Sequence, residues 1–101
     1  MLITDIRVRH LFSPQDTSHL RAFVSVTFDN MLAVHDIRVI EKGDKMFVSM
    51  PSAPDRSGKH RDIVHPINST MREQIETAII ARYKEAVAEA EAEAESVPAE
   101  A

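Results

Sequence analysis

Alternating apolar and polar positions predict β-strands in the first half of the chain. Residues 2–9 alternate with a period of two, and the positions predicted to face inward are Leu2, Thr4, Ile6 and Val8. The other face of this segment is charged: Asp5, Arg7 and Arg9. Residues 21–28 repeat the pattern, with inward positions at Ala22, Val24, Val26 and Phe28. Each segment is therefore expected to form a half-buried strand.

Two further strands are predicted, separated by turn residues. Asp29-Asn30 is a hairpin turn signal, and the β-branched run 31–40 follows it directly. Residues 41–50 then supply a second turn, Glu-Lys-Gly-Asp, and a fourth strand. The polar, proline-containing segment 12–19 is expected to be a loop. Short turns between the later strands favour an antiparallel meander.

The apolar period changes to that of a helix after Thr70. The predicted apolar stripe consists of Met71, Ile75, Ala78, Ile79, Tyr83 and Ala86. Residues of the helix-capping type precede it, namely Asn68, Ser69 and Thr70, and Thr70–Glu73 fits a capping box. Beyond Val87 the Ala-Glu repeat favours helix but offers no apolar face, so a frayed extension and disorder from about Ser96 are expected.

These elements predict an α+β domain in which an antiparallel sheet of four to five strands packs against a C-terminal helix. A short fifth strand is expected at Asp62–His65. Exposed edge strands of so small a sheet can pair with a second copy, so a homodimer formed by sheet extension is expected.

Charge divides the chain into a domain at 1–84 and an acidic tail at 85–101. The whole chain of 101 residues has a formal net charge of −4, yet the tail holds six glutamates and no Lys or Arg. The domain therefore carries twelve Lys and Arg against ten Asp and Glu, and is weakly basic. The tail is expected to solvate the chain; competition with nucleic acid for a basic face is the alternative.

Composition excludes several classes of protein. The chain has no cysteine, so disulfides and thiolate metal sites are ruled out. No apolar run approaches the roughly 20 residues of a membrane span. The first residues read as a strand without the features of a signal peptide, so a cytoplasmic location is expected.

Basic residues in the segment between sheet and helix are the first candidate site. Arg56, Lys59 and Arg61 can reach phosphates, whose counterions are released on binding. Asp55 and Asp62 flank them, so the alternative is a solvated turn whose charges are partly neutralised.

Arginines on the strands are the second candidate site. Arg7 and Arg9 share a strand face by the period of two, and Arg38 could join them in a basic patch. The alternative is cross-strand pairing with Asp5 and Asp36, which would neutralise these charges within the sheet. Aromatic residues are scarce and are expected mostly in the core, so base stacking is not expected.

Other chemistry has little support in the sequence. His35-Asp36, His60 and His65 lack metal-ligand spacing, and adjacent strand residues such as His35 and Asp36 should point to opposite faces. No nucleophile–base–orienter set is visible, so no enzyme activity, cofactor or metal is expected. Asn68, Ser69 and Thr70 are expected to cap the helix, whose N-terminus could also receive a phosphate.

Three segments, VHDIRVI (34–40), FVSMPS (47–52) and RDIVHPINSTMREQI (61–75), together with TDIRVR near the N-terminus, resemble the SpoVG family over roughly residues 1–84. The resemblance implies a small cytoplasmic bacterial protein linked to septum formation and, in spore formers, to sporulation. It also implies dimers built on antiparallel sheets, and DNA or RNA binding by a regulator. One departure is visible: the family's basic pair after MPS is replaced by Ala53-Pro54.

The sequence therefore supports two hypotheses. The first is a dimeric, non-enzymatic regulator that binds DNA or RNA with weak sequence selectivity through the loop and strand arginines. The second is a protein-interaction module of the division machinery that does not bind nucleic acid.

Overall fold

A computed structural model describes residues 1–12 and 18–96 of the chain. Five residues of the predicted 12–19 loop lie outside the described residues. The disorder expected beyond Ser96 concerns residues 97–101, which also lie outside them.

Four strands form one antiparallel sheet in chain order, as the meander predicts. Strands β1 (Ile3–Leu11), β2 (Leu20–Phe28), β3 (Leu32–Lys42) and β4 (Lys45–Ser49) lie side by side in that order. Between β2 and β3, Asp29 and Asn30 both adopt positive φ, and Met31 N–H donates to the Phe28 carbonyl at 2.9 Å. This closes a two-residue hairpin turn of the kind predicted.

One helix, α1 (Ser69–Ser96), packs against one face of this sheet. Its buried residues are Ile75, Ile79, Tyr83 and Ala86, which belong to the predicted stripe. They meet the inward residues of β2, Ala22, Val24, Val26 and Phe28, together with Ile37, Val39 and Val48. The α+β architecture expected from the sequence is thus confirmed. Within the described residues no helix is long and apolar enough to cross a membrane.

A separate two-stranded hairpin occupies much of the connection between sheet and helix. Strand β5 (Ser52–Pro54) pairs with β6 (His60–Asp62), with Ala53 opposite Arg61. The prediction of a strand at Asp62–His65 is therefore wrong except at Asp62. The prediction missed β5 because Pro54 and the nearby turn residues are typical of loops.

Inserted residues shift the register of β1, β2 and β3, and two of these shifts overturn predicted side-chain directions. In β1 the register slips between Ile3 and Asp5, so Ile3 packs against the core while Leu2 and Thr4 are exposed. The predicted inward positions of Leu2 and Thr4 are therefore wrong. A β-bulge adds a residue without any compositional signal, so strict alternation fails beyond it.

Another of these shifts lies at His35 and Asp36 in β3. Val34 and Ile37 are both buried although they are three residues apart, and the two residues between them are both exposed opposite Ser25. Asp36 adopts the left-handed conformation, with φ 62°. The expectation that His35 and Asp36 point to opposite faces is therefore wrong, because it assumed an unbroken period of two.

Candidate nucleic-acid interface

Asp55 organises the β5–β6 hairpin. Its carboxylate accepts hydrogen bonds from Ser57 N–H at 2.8 Å, Ser57 Oγ at 2.6 Å and Lys59 N–H at 3.1 Å. Backbone bonds from Asp55 N–H to the Lys59 carbonyl and from Gly58 N–H to the Asp55 carbonyl close the turn. Gly58 has φ 86°, which glycine adopts without steric cost. The segment is thus an ordered turn held by one carboxylate.

The same carboxylate binds Arg61, one of the three cations predicted to contact nucleic acid. Arg61 Nε donates to Asp55 Oδ2 at 2.6 Å. The hydrogen bonds from Ser57 and then Arg61 lower the pKa of Asp55 to about 2. Asp55 therefore stays ionised near neutral pH. The guanidinium of Arg61 is engaged by this carboxylate within the hairpin.

Arg56 and Lys59 differ from Arg61. Both are exposed, and neither side chain has a hydrogen bond or ion pair within residues 1–12 and 18–96. The hairpin therefore presents two cations to solvent on a fixed backbone. This arrangement can attract anions such as phosphates without first breaking an internal pair.

The three strand arginines lie on the sheet face opposite α1, which we call the open face. Arg7 pairs in register with Ser25, and Arg9 Nε donates to Ser25 Oγ at 3.3 Å. Arg38 pairs in register with Phe23. Arg7 is bound to Asp5 at 2.8 Å, whereas Arg38 has no ion pair among the described residues. Arg7 thus pairs with Asp5 on its own strand, and the cross-strand pairing considered as the alternative forms for none of these three arginines among the described residues.

Two lysines on the open face were missed by the sequence analysis. In the β3–β4 ladder, which has no register shift, Lys42 lies opposite Lys45 and Ile40 lies opposite Phe47. Positions 38, 40 and 42 alternate with the buried residue Val39, so they all face away from α1. Lys42 was missed because residues 41–44 were predicted to form a turn, and Lys45 was predicted in the fourth strand without a face assigned to it.

Aromatic rings also line the open face. Phe12, Phe23 and Phe47 lie outside the hydrophobic core, where the aromatic residues are Phe28 and Tyr83. The rings of Phe12 and Phe23 meet edge to face at 5.5 Å, and His10 lies 4.4 Å from Phe12. The expectation that the aromatics sit mostly in the core is wrong. Phe23 should have been read as outward, because Ala22 and Val24 were assigned inward.

The start of α1 differs from the predicted capping box. Asn68 Oδ1 accepts a hydrogen bond from Met71 N–H at 2.8 Å, so Asn68 is the N-cap. Ser69 and Thr70 lie within the first helical turn. Thr70 does not begin a capping box with Glu73, since the helix starts one residue before it.

The residues that lead to the cap include three exposed apolar side chains: Ile63, Val64 and Ile67.

A serine–histidine contact is the other polar feature of the open face. His35 Nδ1 lies 2.8 Å from Ser25 Oγ, and Ser25 is buried. Among the described residues no carboxylate hydrogen-bonds to His35, so the pair lacks an orienting acid. The described residues also contain no cluster of three potential metal ligands. The absence of an enzymatic or metal-dependent activity stays a prediction.

Comparison with known proteins identifies the family. The SpoVG family model matches residues 1–85. A protein of Acholeplasma laidlawii named septation protein SpoVG is 51% identical over 94% of this chain and 99% of its own length. Proteins of the same name are 45% identical in Clostridium acetobutylicum, over 95% and 98% of the two chains, and in Clostridioides difficile, over 94% and 100%. These matches confirm the resemblance of the sequence segments, and the chain belongs to the SpoVG family.

Proposed function

We propose that this protein is a cytoplasmic, dimeric regulator of septum formation, and of sporulation where it occurs, that binds DNA or RNA through its basic surfaces. The role in septation is supported by the names of relatives that align over nearly their full length. The observation that carries nucleic-acid binding is the ordered β5–β6 hairpin with Arg56 and Lys59 unpaired within the described residues.

Electrostatic attraction between the hairpin cations and a phosphate backbone supports nucleic acid as the partner. A fixed turn loses little conformational entropy when its cations meet phosphates, and released counterions favour binding. The basic pair that the family resemblance implies after MPS is replaced by Ala53-Pro54, and these residues lie in β5. Arg56 and Lys59 follow in the adjoining turn, so they supply two cations only a few residues along the same hairpin.

A gel-shift titration over a series of salt concentrations tests the hairpin. Arg56→Ala and Lys59→Ala should each weaken binding to duplex DNA and reduce the slope of log affinity against log salt by about 0.9. Lys84→Ala is the matched control, since Lys84 is an exposed cation on α1. Unchanged affinity and slope in both hairpin variants, or an equal change in Lys84→Ala, would contradict the assignment.

Dimerisation through β4 is part of the proposal. The edge strand β1 carries two register shifts, whereas β4 pairs with β3 without any. Bulges make an edge a poor template for a further strand, so the outer edge of β4 is the better one. Light scattering at micromolar concentration should give twice the 11.3 kDa chain mass. A mass of one chain would exclude this part of the proposal.

A protein partner in the division machinery is the second candidate function. It is favoured by three apolar side chains between β6 and α1, since Ile63, Val64 and Ile67 are 66%, 41% and 89% exposed. Pull-downs after nuclease treatment should then recover the same partners with wild type and Arg56→Ala, and lose them with Ile63→Ser and Ile67→Ser. Loss of the partners on nuclease treatment would instead favour the first function.

A further inference from the structure

The open face of the sheet combines accessible aromatic rings with cations. Phe47 is 40% exposed, and Phe23 is half-buried with Arg38 as its neighbour on β3. Ile40 lies between Leu20 and Phe47 in the next row of the same face. Phe23 on β2 and Phe47 on β4 are therefore separated by two strand spacings, about 10 Å across the sheet, and by one row along it.

Three cations of this face, Arg38, Lys42 and Lys45, make no side-chain hydrogen bond or ion pair with the described residues, unlike Arg7 and Arg9. Lys42 and Lys45 lie directly opposite each other at the end of the β3–β4 ladder. Like charges at opposed positions destabilise a sheet. Neither lysine side chain therefore gains a compensating partner from the described part of the chain. A bound anion would relieve the repulsion between the two lysines.

The chemistry of this surface selects its ligand. The ligand must be anionic along its length to match Lys42, Lys45 and Arg38, and must offer flat apolar groups to Phe23 and Phe47. A second copy stacked face to face with the lysine pair at the two-fold axis fits poorly, because each lysine would then meet lysines of the other copy. A duplex also fits poorly, since its bases are stacked inside. An unpaired strand offers both phosphates and free base faces.

We propose that the open face binds single-stranded nucleic acid, with bases stacked on Phe23 and Phe47 and phosphates held by Arg38, Lys42 and Lys45. This inference rests on the proposed nucleic-acid function and adds to it the form of the ligand. It assigns different roles to two surfaces. The hairpin cations contact the phosphate backbone of both single-stranded and double-stranded nucleic acid, whereas the open face prefers unpaired bases. The phosphate contacts continue from Arg38 along one face to the lysine pair.

Fluorescence anisotropy with oligothymidylate and with a duplex of equal length tests the proposal at constant salt. Phe47→Leu and Phe23→Leu should each weaken binding to the single strand about tenfold, with duplex affinity unchanged. Phe47→Tyr keeps an aromatic ring and should retain the wild-type affinity for oligothymidylate. In a separate salt series, Lys42→Ala with Lys45→Ala should reduce the salt slope for the single strand by about 0.7 for each phosphate that the variant no longer neutralises.

Controls separate this proposal from the general one. Leu32→Ala removes a side chain that is 52% exposed elsewhere on β3, and should leave both affinities unchanged. Circular dichroism should show that each leucine variant remains folded, because leucine preserves an apolar side chain. If wild type binds neither ligand, the proposed function fails. If wild type binds both but the leucine variants bind oligothymidylate as wild type does, or lose both ligands equally, only the inference about the open face is overturned.

Discussion

The Asp55 carboxylate accepts the Arg61 Nε–H at 2.6 Å, so the acidic centre of the hairpin holds one of its three cations and leaves two in solvent. Lys59 and Arg61 are both cations two residues apart, yet only the Lys59 side chain is free of this carboxylate and available to a ligand. Lys59 contributes its backbone N–H to Asp55, while its ammonium group stays outside the network. The backbone of the turn, more than the number of cations, decides which charges can reach a ligand.

The order of the hairpin should depend on pH through Asp55. The pKa of Asp55 is lowered from 3.8 to about 2, so its ionised form stabilises the folded hairpin fully above about pH 4. That contribution is lost as pH falls through about 2, since protonation removes the acceptor of the Ser57 and Arg61 hydrogen bonds. The carboxyl carbon resonance of Asp55, followed by NMR, should titrate with a midpoint near 2.

Variants of the two donors provide the control for this titration. Ser57→Ala and Arg61→Ala each remove a hydrogen bond that lowers the pKa, so both should move the Asp55 midpoint up towards 3.8. Lys84→Ala should leave it in place. A wild-type midpoint near 3.8 would show that the network around Asp55 does not form in solution.

Asp36 should tolerate glycine better than valine. Its φ of 62° lies in the left-handed region, which costs a β-branched residue about 1–2 kcal/mol and costs glycine nothing. Asp36→Val should therefore lower the free energy of unfolding by about 1–2 kcal/mol relative to Asp36→Gly. Urea denaturation of the two variants measures the difference directly.

Ala33, an exposed residue of the same strand, is the matched control for Asp36. Its φ is not positive, so ordinary strand preferences apply, and valine should be more stable than glycine there. The order of the two substitutions should thus reverse between positions 33 and 36. The same order at both positions would mean that the bulge at Asp36 is absent or relaxes at no cost.

The contrast between β2 and β1 shows how much of the fold a periodic pattern can predict. In β2 the positions Ala22, Val24, Val26 and Phe28 were assigned inward, and all four are buried. In β1 the same reasoning placed Thr4 inward, and this was wrong. An extra residue in a strand changes the phase of the alternation without changing the composition of the segment. The helix was easier to predict, because its apolar stripe extends over several turns. An error in locating the first helical residue does not change which residues form the stripe.

The candidate site was less predictable than the fold, for a physical reason. Sequence spacing located Arg56, Lys59 and Arg61 but could not show that Arg61 is held by Asp55, which depends on the backbone of the turn. Lys42 was missed because residues 41–44 read as a turn, whereas the strand continues to Lys42. Lys45 was predicted within the fourth strand, but its position opposite Lys42 was not. Which cations remain unpaired is a property of three-dimensional contacts, and alternation alone does not determine it.

Tyr83 should report the contact between α1 and the sheet. It is the chain's one tyrosine, and the chain has no tryptophan, so tyrosinate absorbance monitors this residue alone. Burial raises the pKa of Tyr83 above its usual 10.0, and the nearby Glu41 raises it further while Arg21 lowers it. Arg21 and Glu41 are themselves joined at 3.2 Å, so the phenol lies close to a charged pair at the edge of the core.

An alkaline titration checks this environment. The native midpoint should lie above pH 10.0 and return to about 10 in denaturant, where burial is lost. Because the raised pKa belongs to the folded state, the neutral phenol stabilises the fold below about pH 10, and that contribution is lost as pH rises further. Glu41→Gln should lower the native midpoint by removing a neighbouring negative charge, whereas Glu73→Gln, an exposed change on α1, should not. A native midpoint equal to that in denaturant would mean that the helix does not cover Tyr83, and the packing of α1 on the sheet would have to be revised.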